Sequence, residues 1–220
     1  MLPGMKKASA IVHVGPGLGA SFTEYTAEIE VGGELGSTPA QRFLFVIEGA
    51  VTLEAEGKRG EIGPRGYAYV PQGIRHLVKA VSKTRLVVIE KPYERLESVE
   101  PPSLLAVSED AVSSRTPGEL ADIQLKFLLP DLPSFDFAVN TVLYQPGTAM
   151  SAAETQMVEQ GLIMLEGCGV CRLGDSWYSV ATGDFIWMRP LCPHWFGVIG
   201  KVPAKYLIYK GSNHHPLYGH

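Results

Sequence analysis

The sequence predicts an all-β protein made of two tandem barrels of one design, and three observations lead there. The chain repeats itself without a gap at an offset of 118 residues. Phe43-Leu44-Phe45-Val46-Ile47-Glu48-Gly49 lies over Gly161-Leu162-Ile163-Met164-Leu165-Glu166-Gly167, and Pro71-Gln72-Gly73-Ile74-Arg75-His76 lies over Arg189-Pro190-Leu191-Cys192-Pro193-His194. The apolar runs are short (43–47, 86–89, 162–165) and bounded by turn formers, the pattern of strands rather than helices. The chain also carries 24 glycines and 16 prolines in 220 residues, enough to close many tight turns. A repeat of this size marks two copies of one small domain, and each copy has room for an independent core.

In chain order, residues 1–21 are punctuated by Gly and Pro and are expected to form an N-terminal arm. The first barrel is expected over 22–91, and a linker over 92–122, which contains Pro92, Pro101-Pro102 and Pro117-Gly118. The second barrel is expected over 123–210, opening with alternating segments at 123–128 and 135–143 and closing on Tyr206-Leu207-Ile208-Tyr209. Residues 211–220 read as a solvated tail, because His214, His215 and His220 have no further ligands nearby. In both halves an apolar run enters a Glu-Gly turn and a polar hairpin follows. An aromatic alternation comes next (Tyr67, Tyr69; Phe185, Trp187), and a Pro-containing bend delivers a histidine. Closing such strands into a barrel removes the sheet edges that invite aggregation, and the barrel interior is the place for a small ligand.

Composition excludes several classes of function. The net charge is −4 with no run of Lys or Arg, so no nucleic-acid partner is expected. No stretch of 18 apolar residues is present, so no membrane span is expected. After Lys6-Lys7 the apolar patch covers only 11–14 before Gly15-Pro16-Gly17, too short for a secretory signal. Three cysteines exclude a complete disulfide framework and make a reducing cytoplasm the simpler setting. Cys168 and Cys171 form a Cys-x-x-Cys, but they fall over Ala50 and Leu53, ordinary packing positions. Residues three apart on a strand also face opposite sides, so no redox or zinc pair is expected.

Pro71-x-Gly73-x-x-His76 forms the bend of a cupin second signature, and Gly183-Asp184 stands eleven residues before His194, the usual cupin spacing. The chain therefore resembles the cupin superfamily, which implies two jelly-roll barrels, a bicupin. Within it the chain is most similar to the (S)-ureidoglycine aminohydrolases. The likeness rests on Tyr144-Gln145-Pro146-Gly147, Glu154-Thr155, Leu165-Glu166-Gly167-x-Gly169, Leu173-Gly174-Asp175-Ser176-Trp177, Gly183-Asp184-Phe185-Ile186-Trp187-Met188 and Tyr206-Leu207-Ile208-Tyr209-Lys210-x-x-Asn213. The resemblance implies release of ammonia from ureidoglycine to give ureidoglycolate in purine and ureide breakdown, a Mn²⁺ cofactor, a small-molecule substrate and a homo-oligomer. It also implies metal ligands at Glu154, Gln156, Gln160 and His194, and substrate contacts from Tyr206 and Lys210, with Glu154 orienting substrate or moving a proton.

Here the chain departs from the family pattern. Two family histidines are Gln156 and Gln160, the family glutamine is His194, and Cys171 stands where the family tends to carry tyrosine. Residues 154 and 156 are expected to share one face of a strand. A set of amide and carboxylate oxygens with one imidazole favours a hard ion such as Mn²⁺ or Mg²⁺, loosely held. The same residues also suit a hydrogen-bonded polar cluster without an ion, and Lys210 with Tyr206 also suits a surface lysine beside a packed tyrosine. The matching positions of the first half are Gly36, Thr38, Arg42 and His76, a set in which no ion is expected. Three readings stay open: the aminohydrolase, a non-catalytic bicupin that binds a small polar metabolite, and a metal enzyme retuned to another substrate.

Overall fold

A computed structural model describes residues 2–116 and 122–211. The histidines of the tail and Asn213 lie outside these residues. The described chain is all-β. Its helical content is two short 3₁₀ turns, at Pro16–Leu18 and Glu109–Ala111, and no described helix is long and apolar enough to cross a membrane. The chain divides into two compact units, Met1–Ala111 and Val112–His220.

The first unit is a nearly closed, nine-stranded barrel sheet. Its strands are β1 (Met5–Val14), β2 (Thr23–Leu35), β3 (Gln41–Glu48), β4 (Val51–Ala55), β5 (Lys58–Ile62), β6 (Gly66–Val70), β7 (His76–Ala80), β8 (Thr84–Lys91) and β9 (Leu105–Ser108). They pair in the order β5-β4-β7-β2-β8-β3-β6-β9, with β1 against β2. Alternate residues of these strands, among them Tyr25, Ala27, Ile29, Leu44, Val46, Leu86 and Val88, build the core. Two expected boundaries move. The arm is largely a strand, since β1 pairs with β2 from Met5↔Leu35 to Val14↔Glu24 and buries Ala8 and Val14. Its Gly and Pro residues lie only at its ends. The linker also supplies β9, which pairs with β6, and Glu109, which is buried and accepts from Arg65.

The second unit has two antiparallel sheets. Its strands are β10 (Ile123–Phe127), β11 (Ala138–Tyr144), β12 (Gln160–Glu166), β13 (Cys168–Leu173), β14 (Ser176–Ala181), β15 (Phe185–Met188), β16 (His194–Val198) and β17 (Ala204–Lys210). They run in the orders β10-β11-β17-β12-β15 and β14-β13-β16. The core between them includes Val142, Tyr144, Leu162, Met164, Cys171, Phe196, Tyr206 and Ile208.

The sequence repeat is also a repeat of register. Arg42↔Val70 and Phe43↔Tyr69 in the first unit become Gln160↔Met188 and Gly161↔Trp187 in the second. Ala55↔His76 becomes Leu173↔His194, and the same bulge interrupts β3·β8 at Val46/Glu48 and β12·β17 at Met164/Glu166. The Glu-Gly turns explain part of this. Gly49 and Gly167 have φ of 78° and 75°, and a Cβ at either would collide with the carbonyl of Lys83 or of Pro203. Only glycine suits both demands.

Candidate active site

Inward-facing residues of the second unit enclose a cavity of about 200 Å³. Pairing sets its layers. Gln160 lies opposite both Met188 and Lys210, Leu162 opposite Ile186 and Ile208, and Met164 opposite Tyr206. One end of the barrel thus carries Gln160 and Lys210, and Tyr206 sits two inward positions deeper on the same strand. The facing sheet contributes His194, Phe196 and Cys171.

Glu154 reaches the cavity from a segment that runs beside β16. Met150 N–H donates to the Phe196 carbonyl, Val198 N–H to the Thr148 carbonyl, and Glu154 and His194 exchange two backbone hydrogen bonds of 2.8 Å. The Trp195 indole N–H fastens the same segment by donating to the Met150 carbonyl at 2.7 Å. Glu154 itself is exposed, at the cavity mouth, whereas Gln160 is buried and His194 partly so.

Of the residues singled out from sequence, Glu154, Gln160, His194, Tyr206 and Lys210 line this one cavity. Gln156 is not among its lining residues. The expected strand alternation between 154 and 156 is replaced by a single bridge at Glu154 followed by irregular backbone, so the rule that places i and i+2 on one face does not apply. The Gln156 main chain instead accepts from Leu191 N–H at 2.7 Å. Cys168 and Cys171 are free thiols, one bonded to the Ile199 carbonyl and the other buried. Burial pushes the Cys171 thiol up to about 11.

The electrostatics follow from burial. His194 Nδ1 lies 3.1 Å from the Cys192 carbonyl. A carbonyl only accepts, so in neutral His194 Nδ1 carries the proton and Nε2 keeps its lone pair. Burial pulls the Lys210 ammonium below the usual amine range, and the Glu154 carboxylate opposes that shift. Burial also drives the Tyr206 phenol well above its usual range and raises Tyr144. The Tyr144 and Tyr206 hydroxyls are 3.2 Å apart, and both rings pack against Phe196. Tyr144 received no role from the sequence, although the alternation Asn140, Val142, Tyr144 along β11 was the signal for its inward face.

The positions matching this site in the first unit are filled from within. Arg42 donates from Nη1 to His76 Nε2 at 2.8 Å and to the Gly36 carbonyl at 2.8 Å. From Nε and Nη2 it donates to Glu90 Oε1 at 2.9 and 2.7 Å. Tyr25 and Thr38 donate to the same Glu90 carboxylate, and His76 Nδ1 donates to the Ile74 carbonyl at 2.8 Å.

A cupin-domain model matches residues 140–209. The chain is 35% identical over 219 residues to the (S)-ureidoglycine aminohydrolase of Arabidopsis thaliana, covering 98% of the chain and 73% of that protein. It is 36% identical over 207 residues to a probable (S)-ureidoglycine aminohydrolase of Oryza sativa subsp. japonica, covering 93% of the chain and 66% of that protein. The chain belongs to the (S)-ureidoglycine aminohydrolase family. A crystal structure of a putative glyoxylate-induced protein from Pseudomonas aeruginosa superposes with a TM-score of 0.88 at 30% identity, covering 98% of the chain and 83% of its own.

The donors of the cavity can be tested against the divalent cation that the family implies. Among the lining residues, Glu154, Gln160 and His194 offer one carboxylate, one amide oxygen and one imidazole nitrogen with its lone pair retained. That set fits a hard ion held through three protein donors, with Gln156 outside it.

Proposed function

We propose that the protein is an (S)-ureidoglycine aminohydrolase of bicupin build, hydrolysing ureidoglycine to ureidoglycolate and ammonia. The observation that carries this reading is the meeting of Glu154, His194, Tyr206 and Lys210 in one cavity of a chain that is 35% identical to an aminohydrolase over nearly its whole length. In the reaction the C–N bond to the amino group breaks, a C–O bond to water forms, and one proton of the water leaves with the nitrogen. Lys210 is the group to meet the substrate carboxylate, since a buried ammonium gains most from an anionic partner. Glu154, at the mouth beside His194, is placed to carry the proton from water to the departing nitrogen. Tyr206, kept protonated by burial, donates to a substrate oxygen. Glu154, Gln160 and His194 are the residues that would hold Mn²⁺, which when bound supplies Lewis-acid polarisation of the substrate.

The register repeat supports the bicupin reading, and the three free cysteines suit a reducing cytoplasm. A homo-oligomer acting in purine-derived ureide breakdown rests on the family likeness alone. The exchange of imidazole for amide at Gln160 favours a second reading, a bicupin that binds a small polar metabolite without turning it over. The deciding measurement is ammonia release from ureidoglycine at graded Mn²⁺, corrected for the substrate's spontaneous decay. Release that saturates with substrate supports the enzyme, and none at saturating metal leaves the binding protein.

A further inference from the structure

The floor of the cavity holds a hydrogen-bond imbalance. Tyr144 and Tyr206 are both buried, both line the cavity, and their hydroxyls are within hydrogen-bond distance only of each other among the described residues. Each phenol carries one proton, and one proton suffices for the bond between them. The second has no protein acceptor there. The adjoining walls include Val142, Phe196 and Ile123, Cys171 gives its thiol proton to the Arg172 carbonyl at 3.7 Å, and the Glu154 carboxylate acts on both phenols without a hydrogen bond to either. A buried donor without a partner is rare in folded proteins and marks a place where water or a ligand belongs. Burial holds both phenols protonated across the neutral range, so the unmatched group is a donor and not an anion.

The first unit shows that the fold does not require this pair. In its corresponding strands β2 and β8, the positions of Tyr144 and Tyr206 are taken by Ile29 and Leu86, both fully packed in the core. The phenols occur in the unit whose core opens into the cavity lined by His194 and Lys210.

We propose that Tyr144 is a substrate-binding residue that acts with Tyr206 to present one hydroxyl donor at the cavity floor to an uncharged acceptor oxygen of the ligand. This rests on the aminohydrolase reading for the identity of that oxygen, the ureido carbonyl. The ligand then spans the cavity with its carboxylate at Lys210 and its ureido group at the phenols. The cavity thus selects a short molecule with an anion at one end and a carbonyl at the other.

The test uses the full-length protein with Mn²⁺ and two probes read by calorimetry. N-carbamoylglycine has the carboxylate and the ureido group but no leaving amine, and butyrate has the carboxylate alone. Tyr144→Phe combined with Tyr206→Phe keeps both rings against Phe196 and removes both hydroxyls, since either phenol left alone would still have one proton to give. It should weaken N-carbamoylglycine about tenfold, the scale of one neutral hydrogen bond with its partner left unpaired, and leave butyrate unchanged. Ammonia release from ureidoglycine should show the loss in KM rather than kcat, with an unchanged melting temperature. Three results overturn the proposal: no binding of N-carbamoylglycine to the wild type, equal affinity in wild type and variant, or equal weakening of both probes. Selective weakening without ammonia release in the wild type supports the phenol assignment and overturns the aminohydrolase reading.

Discussion

Where the C-terminal unit presents Gln160, Lys210 and His194 to a cavity, the N-terminal unit closes Arg42, Glu90 and His76 on one another. The repeated strands keep the same register in both. The difference is one of accounting. In the first unit every donor of Arg42 that is bonded meets Glu90, His76 or the Gly36 carbonyl, so the imidazole lone pair is spent inside the protein. In the second, Gln160 stands at the register position of Arg42, Lys210 at that of Glu90, and Glu154 enters at the mouth. A fold that satisfies its polar groups internally gains a rigid interior, and one that leaves them turned to a cavity gains a site.

The sharpest way to break that contrast is to cut the internal pair. Arg42 is 4% exposed and Glu90 19%, so Arg42→Ala leaves a mostly buried carboxylate without its cation. The expected loss is about 3 kcal/mol of unfolding free energy, measured by denaturant titration. Ammonia release by the protein that remains folded should be retained. A loss below about 1 kcal/mol, the range of exposed pairs, would mean that solvent screens Arg42 and Glu90.

Next in size is the matching cation of the other unit. Lys210→Ala should weaken substrate binding by about 2 kcal/mol, the scale of a hydrogen bond to a charged group, with little effect on stability because Lys210 makes no ion pair among the described residues. The wild-type KM should also climb with alkaline pH earlier than for an ordinary lysine, since burial lowers the Lys210 pKa and the deprotonated amine cannot hold an anion. A KM indifferent to both would remove Lys210 from the site.

The two glutamines separate what was legible in the sequence from what was not. The duplicated strands, the Glu-Gly turns and the delivery of His76 and His194 to one end of their barrels follow from local pattern, because register and positive-φ glycines leave little freedom. Strand β1 is not legible because Gly and Pro punctuate both ends of its segment, and β9 because four residues against an edge give too short an alternation. Gln156 is absent from the cavity lining for a related reason. Residue alternation holds within a paired strand, and the backbone beyond Glu154 is not one. The Arg42–Glu90 pair joins positions 48 apart, a separation that no local pattern reports. Accordingly Gln160→His should tighten Mn²⁺ about tenfold, near 1.4 kcal/mol, while Gln156→His should change little. Calorimetric titration decides, and equal gains from both would return Gln156 to the cavity.

The smallest expected effect concerns the histidine that both units share. Burial holds His76 below its ordinary value of 6.5, with the Ile74 carbonyl opposing, and neutral His76 accepts from Arg42 through Nε2. As the pH falls through 6.5 the unfolded chain takes up a proton that the folded chain refuses, so the stability from neutral His76 is complete above that value and is lost on the acid side. His13 is shifted in the same direction by burial and adds to the same slope. His76→Gln keeps an amide oxygen for Arg42 but has nothing to protonate. Denaturant midpoints of wild type and variant between about pH 5 and 7.5 should converge toward the acid end, the wild type losing more, while His13 and the buried Glu24 carboxyl, which burial raises and which acts in the opposite sense, contribute equally to both. Parallel slopes would mean that His76 stays neutral in neither state more than in the other, and that Arg42 does not depend on its lone pair.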